Sequence, residues 1–201
     1  MMSTAKNTKN RLITLTQLAI LTAIIIVMAF TPLGYLKMPG LEITFITIPV
    51  VVGAIVMGPG AGAALGAVFG LTSFFQCFGM SAFGSTLMGI NPVFTFLVCF
   101  VPRTLMGLLT GWIFKAFKKK NFVAFGVSAL SGALLNTLLF MTTLMLLFGG
   151  TDYIQEMQAG ANVLAFVIAF VGINGLVEAI VCFILGAAIS KAVYAFNQKL
   201  I

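Results

Sequence analysis

Apolar residues fall into six runs along the chain, at 12–30, 46–57, 61–75, 92–114, 122–148 and 161–191, separated by short polar or glycine-rich breaks. A helix rises about 1.5 Å per residue, so crossing a hydrocarbon core about 30 Å thick takes about 20 apolar residues. The first, fourth, fifth and sixth runs reach or approach that length. The second yields only about 20 Å of helix and is expected to lie tilted or partly buried. The pattern predicts an all-α integral membrane six-helix bundle over 12–201, preceded by a polar, disordered or interfacial arm at 1–11 that holds Lys6, Lys9 and Arg11.

The breaks carry further signals. Thr31, Pro32 and Gly34 end the first run, Pro39-Gly40 reads as a turn, and 41–45 alternates apolar and polar as an extended segment does. Gly58-Pro59-Gly60 is a tight uncharged turn. Residues 76–91, QCFGMSAFGSTLMGIN, show no helical periodicity and read as an external loop able to fold over a cavity. Residues 149–160, with Asp152, Tyr153 and Glu156, form the last outer loop. Small residues recur at helical spacing: Ala19 and Ala23 in the first run, then Gly62, Gly66 and Gly70 in the third, with Ala63 and Ala67 beside them. Such faces let another helix backbone approach closely, either inside the bundle or from a second membrane subunit.

Composition agrees with a membrane protein. Hydrophobic residues make up 61% of the chain and charged ones 7%, with a mean hydropathy of +1.16, outside the range of soluble domains. The first run has no small-residue cleavage site after it and reads as a retained span rather than a cleaved signal peptide. A net charge of +7 suggests nucleic acid until the cations are located. Lys6, Lys9, Arg11, Lys115, Lys118, Lys119, Lys120, Lys191 and Lys199, nine of the 11 basic residues, flank the runs on the side that also holds both termini. Lys37, Glu42, Asp152 and Glu156 lie on the other. The positive-inside rule then predicts six crossings with both termini cytoplasmic. Trp112, near the basic end of its run, fits an interfacial anchor.

One charge does not flank a run. Arg103 is the only charged residue between 92 and 114, and it sits about 16 Å below the outer end of its helix. An unpartnered guanidinium there costs from about 2.5 kcal/mol on insertion scales to over 10 in simulation, so a partner is required. Pro102 disfavours a straight helix and frees a carbonyl one turn earlier, leaving backbone polarity beside the charge. By the same arithmetic Asn136 lies about 18 Å and Asn174 about 20 Å below their outer ends, with Glu178 one turn deeper on the face of Asn174. Arg103, Asn136, Asn174 and Glu178, joined by Gln76 and Asn91 at the ends of the 76–91 segment, form a candidate site for an anionic ligand. The arginine offers a planar fork for a carboxylate, and the asparagines offer donors and acceptors. The alternative is an internal Arg103–Glu178 ion pair with two asparagines joining helices.

Several chemistries are excluded or left without support. The chain has no histidine, so acid–base or metal chemistry on imidazole is absent. Cys77, Cys99 and Cys182 show neither metal-ligand nor disulfide spacing and read as small core residues. No cofactor or metal is implied. An enzyme would have to rely on Glu178 or a serine, and a channel would line a continuous polar path, whereas polarity here stops at one depth. There is no G-x-x-x-x-G-K-[ST] phosphate loop, no inverted repeat and no pair of broken helices, so energy for transport would come from elsewhere.

With these residues in view, the chain resembles the substrate-binding S components of energy-coupling factor (ECF) vitamin transporters over residues 12–195. The resemblance rests on Ala19 and Ala23, the short second helix, GPGAGAALGAVFG at 58–70, and the loop preceding Asn91-Pro92. It implies a substrate held on the extracellular side between loops and the last three helices. It also implies a small-residue face, with Ala19, Ala23, Gly62 and Gly66, docking a transmembrane T component carried by two cytosolic ATPases, the S component toppling to release its vitamin. Val27 stands where a third alanine is often found. Within the family, FTPLGYLKMPGLEITFITIPVVVGAIVMGPGAGAALG and INPVFTFLVCFVPRTLMG look most like pantothenate-specific members. Pantothenate's carboxylate, amide and two hydroxyls suit one arginine, two asparagines and a glutamate. Folate and biotin are also anionic, although a single Trp and three Tyr argue against a large stacked ring system. The implied place is the plasma membrane, with no nucleic-acid partner.

Overall fold

The computed structural model describes residues 2–38, 41–158, 160 and 162–200, with side chains at all of these except 2–10, 33, 35–38, 41–43, 163, 164, 166, 167, 169, 170, 173, 174, 199 and 200. Among the described residues the regular structure is helical apart from one hairpin. Helix α1 (Met2–Phe30) takes in the polar arm as well as the first apolar run, and no glycine or proline interrupts these 29 residues. The arm is therefore helix rather than disordered. A 3₁₀ turn (Pro32–Gly34) leads into strands β1 (Tyr35–Met38) and β2 (Leu41–Thr44), antiparallel with Tyr35 opposite Thr44 and Met38 opposite Leu41. The extended reading of 41–45 is met through Thr44, and the Pro39-Gly40 turn lies outside the described residues.

Helix α2 (Thr47–Met57) is short and lies at the centre of the bundle, every residue from Thr47 to Ile55 being buried. A helix apolar on all sides is stable only there. Gly58, at φ +97°, turns the chain directly into α3 (Pro59–Gln76), whose Pro59 occupies the first turn, where its missing N–H costs nothing. Next come α4 (Ala82–Ile90), α5 (Pro92–Ala116), α6 (Phe122–Phe148), α7 (Asp152–Gln158) and α8 (Val163–Val181). A five-residue π turn (Cys182–Gly186) then passes into α9 (Ala187–Leu200). Polar side chains cap several helix starts: Ser81 accepts from Gly84 N–H, Asn121 from Ala124 N–H and Asn162 from Ala165 N–H.

Two loops expected to be irregular contain helices. The 76–91 segment forms α4, and 149–160 forms α7. Neither helix would hold alone at nine and seven residues. Leu87 and Ile154 secure them by entering a small core with Val98, Met141, Leu144 and Phe148. The Phe83 and Tyr153 rings meet at 6.2 Å between centroids, joining α4 to α7 in a cap over one end of the bundle.

The main core is built from α1, α2, α3, α5, α6 and α9, with Ile25, Val50, Val51, Leu65, Phe69, Met106, Phe125 and Ala187 at its centre. Helix α3 runs antiparallel to α5 at close range. A Cβ on Gly62 would lie 2.3 Å from the Gly107 carbonyl oxygen, one on Gly66 2.2 Å from the Arg103 oxygen, and one on Gly70 2.8 Å from Phe100 Cα. Gly107 and Gly111 return the same contact from α5, against Gly62 and Pro59. The glycine ladder thus joins two helices of this chain. Gly62 and Gly66, expected among the docking residues, are buried against α5 rather than presented on the outside of the bundle.

Four stretches among the described residues are long and apolar enough to cross a membrane: Arg11–Phe30, Pro92–Ala116, Phe122–Phe148 and Gly175–Gln198. The remaining two expected runs form α2 and α3, of 11 and 18 residues. Gln17 and Asn197 exchange hydrogen bonds in both directions, one at 3.1 Å, so α1 and α9 meet at the end of the bundle opposite the cap. The lysine-rich turn after α5 lies at that same end. There Lys120 folds back, donating to the Phe114 carbonyl with its ammonium 4.3 Å from the Phe114 ring centroid, and closes the helix terminus.

Candidate functional site

Proline at 102 cannot donate to the carbonyl four residues earlier, which is that of Val98. The structure shows what takes the vacancy. Arg103 Nη1 donates to the Val98 oxygen at 2.7 Å. The guanidinium is flanked by two aromatic faces, its Cζ lying 4.6 Å from the Phe140 centroid and 5.6 Å from that of Phe69. Rings in this position attract a cation and screen it from lipid. Arg103 Nε is buried and has no partner. Among the described residues no carboxylate is in ion-pair contact with Arg103, so the expected alternative of a direct Arg103–Glu178 pair is not what holds it.

Glu178 is buried on α8, and its Oε1 accepts from Thr47 Oγ1 at 2.7 Å. Thr47 is the first residue of the central helix α2, fully buried, and the sequence reading passed over it. Asn136, on α6 one turn before Phe140, is 8% exposed, and its Oδ1 has no partner. Asn136 and Arg103 both lie within electrostatic reach of the Glu178 carboxylate. Arg103, Asn136 and Glu178, on α5, α6 and α8, are therefore brought near one another, although Glu178 was expected one turn deeper. An unspent donor (Arg103 Nε) and an unspent acceptor (Asn136 Oδ1) remain there, and buried groups of this kind are costly unless something satisfies them.

The other candidates divide. Asn174 is on α8 one turn before Glu178, and its side chain lies outside the described residues. Gly175 comes within 4.0 Å of Thr137 Oγ1 where a Cβ would stand, so this part of α8 packs on α6 beside Asn136. Gln76 ends α3 and donates to the Ala29 carbonyl, tying α3 to the end of α1. Asn91 caps α5, its Oδ1 accepting from the N–H groups of Val93 and Phe94 at 3.0 and 3.1 Å. Its oxygen is committed to that cap. The residues missed were Thr47, a lone hydroxyl opening an apolar run, and Phe69 and Phe140, which nothing separates in sequence from the other phenylalanines among 20.

Ala19 and Ala23 are exposed on α1, on a face shared with Leu12, Leu15, Ile20, Ile24 and Val27. Only 11% of the apolar window of α1 is buried inside the bundle, against 39% for that of α5. This is the least covered of the long helices.

Residues 13–190 match the family described as "ECF transporter, substrate-specific component". The chain is 31% identical over 159 residues to the pantothenic acid transporter PanT of Lactococcus lactis subsp. cremoris, covering 74% of this chain and 76% of that protein. It is 32% identical over 190 residues to the pantothenate transporter PanT of Leuconostoc mesenteroides subsp. mesenteroides, covering 88% of this chain and 90% of the relative. These likenesses describe a membrane transport component rather than an enzyme, and they agree with the long apolar helices. The chain belongs to the substrate-specific components of the ECF transporters.

Proposed function

We propose that this protein is the pantothenate-binding S component of an ECF importer in the plasma membrane. Six helices would cross the bilayer with both termini in the cytoplasm, placing the α4–α7 cap outside and the lysine turn inside. The observation that carries the substrate reading is the state of Arg103. It is a partly buried guanidinium resting on a backbone carbonyl and two rings, with Nε unspent and, among the described residues, no carboxylate in contact. A ligand carboxylate is the group it lacks. Asn136 suits an amide and hydroxyl-bearing ligand, Asn174 is the second asparagine assigned to it, and Glu178 accepts from a hydroxyl. The names of the two relatives support pantothenate as the molecule with that set of groups.

The test is equilibrium binding of labelled pantothenate, biotin and folate to the purified chain in detergent or nanodiscs. Saturable binding of pantothenate, with no competition from a large excess of the other two, is the expected result. Preference for biotin or folate would transfer the proposal to that vitamin, and binding of none would end it.

Energy for uptake, in this reading, comes from two cytosolic ATPase subunits acting through a transmembrane T component, which docks on the exposed α1 face around Ala19 and Ala23. Gly62 and Gly66 take no part. Ala19→Leu or Ala23→Leu should therefore abolish pantothenate uptake by cells expressing the complete transporter. Pantothenate binding to the purified variant should stay within about twofold of wild type, since an exposed substitution away from packed contacts changes stability by less than about 0.5 kcal/mol. Loss of binding together with uptake would mean that these positions pack within the protein.

A further inference from the structure

Two of the three cysteines, unremarkable in sequence, meet in the fold. Cys77, at the end of α3, and Cys99, in α5, place their sulfurs 3.8 Å apart. Both are free thiols and both are buried, at 5% and 7% exposure. The Cys77 sulfur also lies 3.4 Å from the Ser73 carbonyl oxygen, so its hydrogen has an acceptor on its own helix and its lone pairs are left to Cys99. Helix α4 covers the pair. A Cβ on Gly84 would stand 2.6 Å from Cys77 Sγ, and Ser85 Oγ donates to the Cys77 carbonyl at 3.0 Å. Cys182 is buried as well, in the π turn, and its sulfur contacts no other thiol among the described residues.

We propose that Cys77 and Cys99 form a dithiol modification site, which a small disulfide oxidises to an intramolecular disulfide that closes the 78–98 segment carrying α4. In the first step one of the two, as thiolate, attacks a sulfur of the small disulfide and expels one thiolate, leaving a mixed disulfide on the protein. The second cysteine, as thiolate, then attacks the first cysteine's own sulfur in the mixed disulfide and expels the other half of the reagent as a thiolate. The protein loses two protons and two electrons in total, the reagent gains them, and two small thiols leave. Contact between the two sulfurs favours the second step, since the resolving thiol is already in place. Reagent reaches the sulfurs only when α4 moves off Cys77, so the first step reports opening of the cap. Once formed, the bond ties both ends of the α4 segment to α3 and α5. None of this depends on what the site beneath binds.

The test exposes the folded chain in detergent to hydroxyethyl disulfide, then denatures it, alkylates the remaining thiols and maps the peptides by mass. The expected product carries one alkyl group, on Cys182, and a Cys77–Cys99 cross-link, against three alkyl groups when the oxidant is omitted. Hydrogen exchange of the amides at 82–90 should slow in the cross-linked protein. In Cys99→Ala the mixed disulfide should stay trapped on Cys77, its resolving thiol having been removed. Three alkylated cysteines after exposure of folded wild type, or a bridge to Cys182, would overturn the proposal. If the alanine variant does not fold, the wild-type peptide map decides alone.

Discussion

Arg103→Ala is expected to weaken pantothenate binding by about 10- to 100-fold, the equivalent of about 1.5 to 3 kcal/mol for a charge-assisted hydrogen bond. The variant should still insert and fold, because the contacts it gives up are one bond to the Val98 carbonyl and the faces of Phe69 and Phe140. Arg103→Lys separates charge from shape. It keeps the cation but loses the planar fork, so its affinity should fall between those of wild type and the alanine variant. Titration calorimetry on the three proteins, each checked by size exclusion in the same detergent, measures both quantities. A folded alanine variant with unchanged affinity would remove the arginine from the binding site.

The second large effect concerns the α3–α5 seam, where the sign of a Gly→Ala change should depend on position. Alanine is favoured over glycine inside a helix by up to about 1 kcal/mol, so Gly60→Ala, whose new methyl meets nothing within 4 Å, should leave stability unchanged or slightly raised. Gly66→Ala puts the same methyl 2.2 Å from the carbonyl oxygen of Arg103. That neighbour is backbone and cannot rotate away, so the helices must part, with an overpacking cost of about 1 to 3 kcal/mol. Thermal unfolding in detergent should show a clear drop for Gly66→Ala and none for Gly60→Ala. Gly66 abuts the residue that carries the guanidinium, so its variant should lose pantothenate affinity along with stability. Equal melting temperatures for the two would mean that the seam is looser than described.

How far the sequence revealed this molecule depended on whether a residue's cost was visible without its neighbours. Arg103 and Pro102 were legible because a charge and a missing N–H are anomalies wherever an apolar helix contains them. Even the carbonyl that receives the arginine follows from counting four residues back from the proline. Asn136 and Glu178 were found by depth, a property of the single helix. The glycine ladder was legible as a small face, but periodicity does not say which surface will meet it, and that surface proved to be α5. Ala19 and Ala23, alike in spacing, face outward. Helices α4 and α7 escaped notice because glycine and polar residues dilute their pattern, and they exist through Leu87 and Ile154 reaching a core supplied by α5 and α6. Thr47 and the meeting of Cys77 with Cys99 were out of reach for the same reason, since each matters only through a residue distant in sequence.

The helix bearing Glu178 is broken on both sides. Gly172 leaves helical geometry, at φ +32° and ψ −130°, and the π turn begins four residues beyond the carboxylate. Between these breaks lies a stub of little more than two turns that can swivel about its own long axis with dihedral changes confined to its ends. A wide turn of this kind can also creep along the chain, and each single-residue step spins the side chains it passes by about 100°. The acid at 178 is thus mounted on a spindle, whose rotation would carry it off Thr47 while the neighbouring helices stand still.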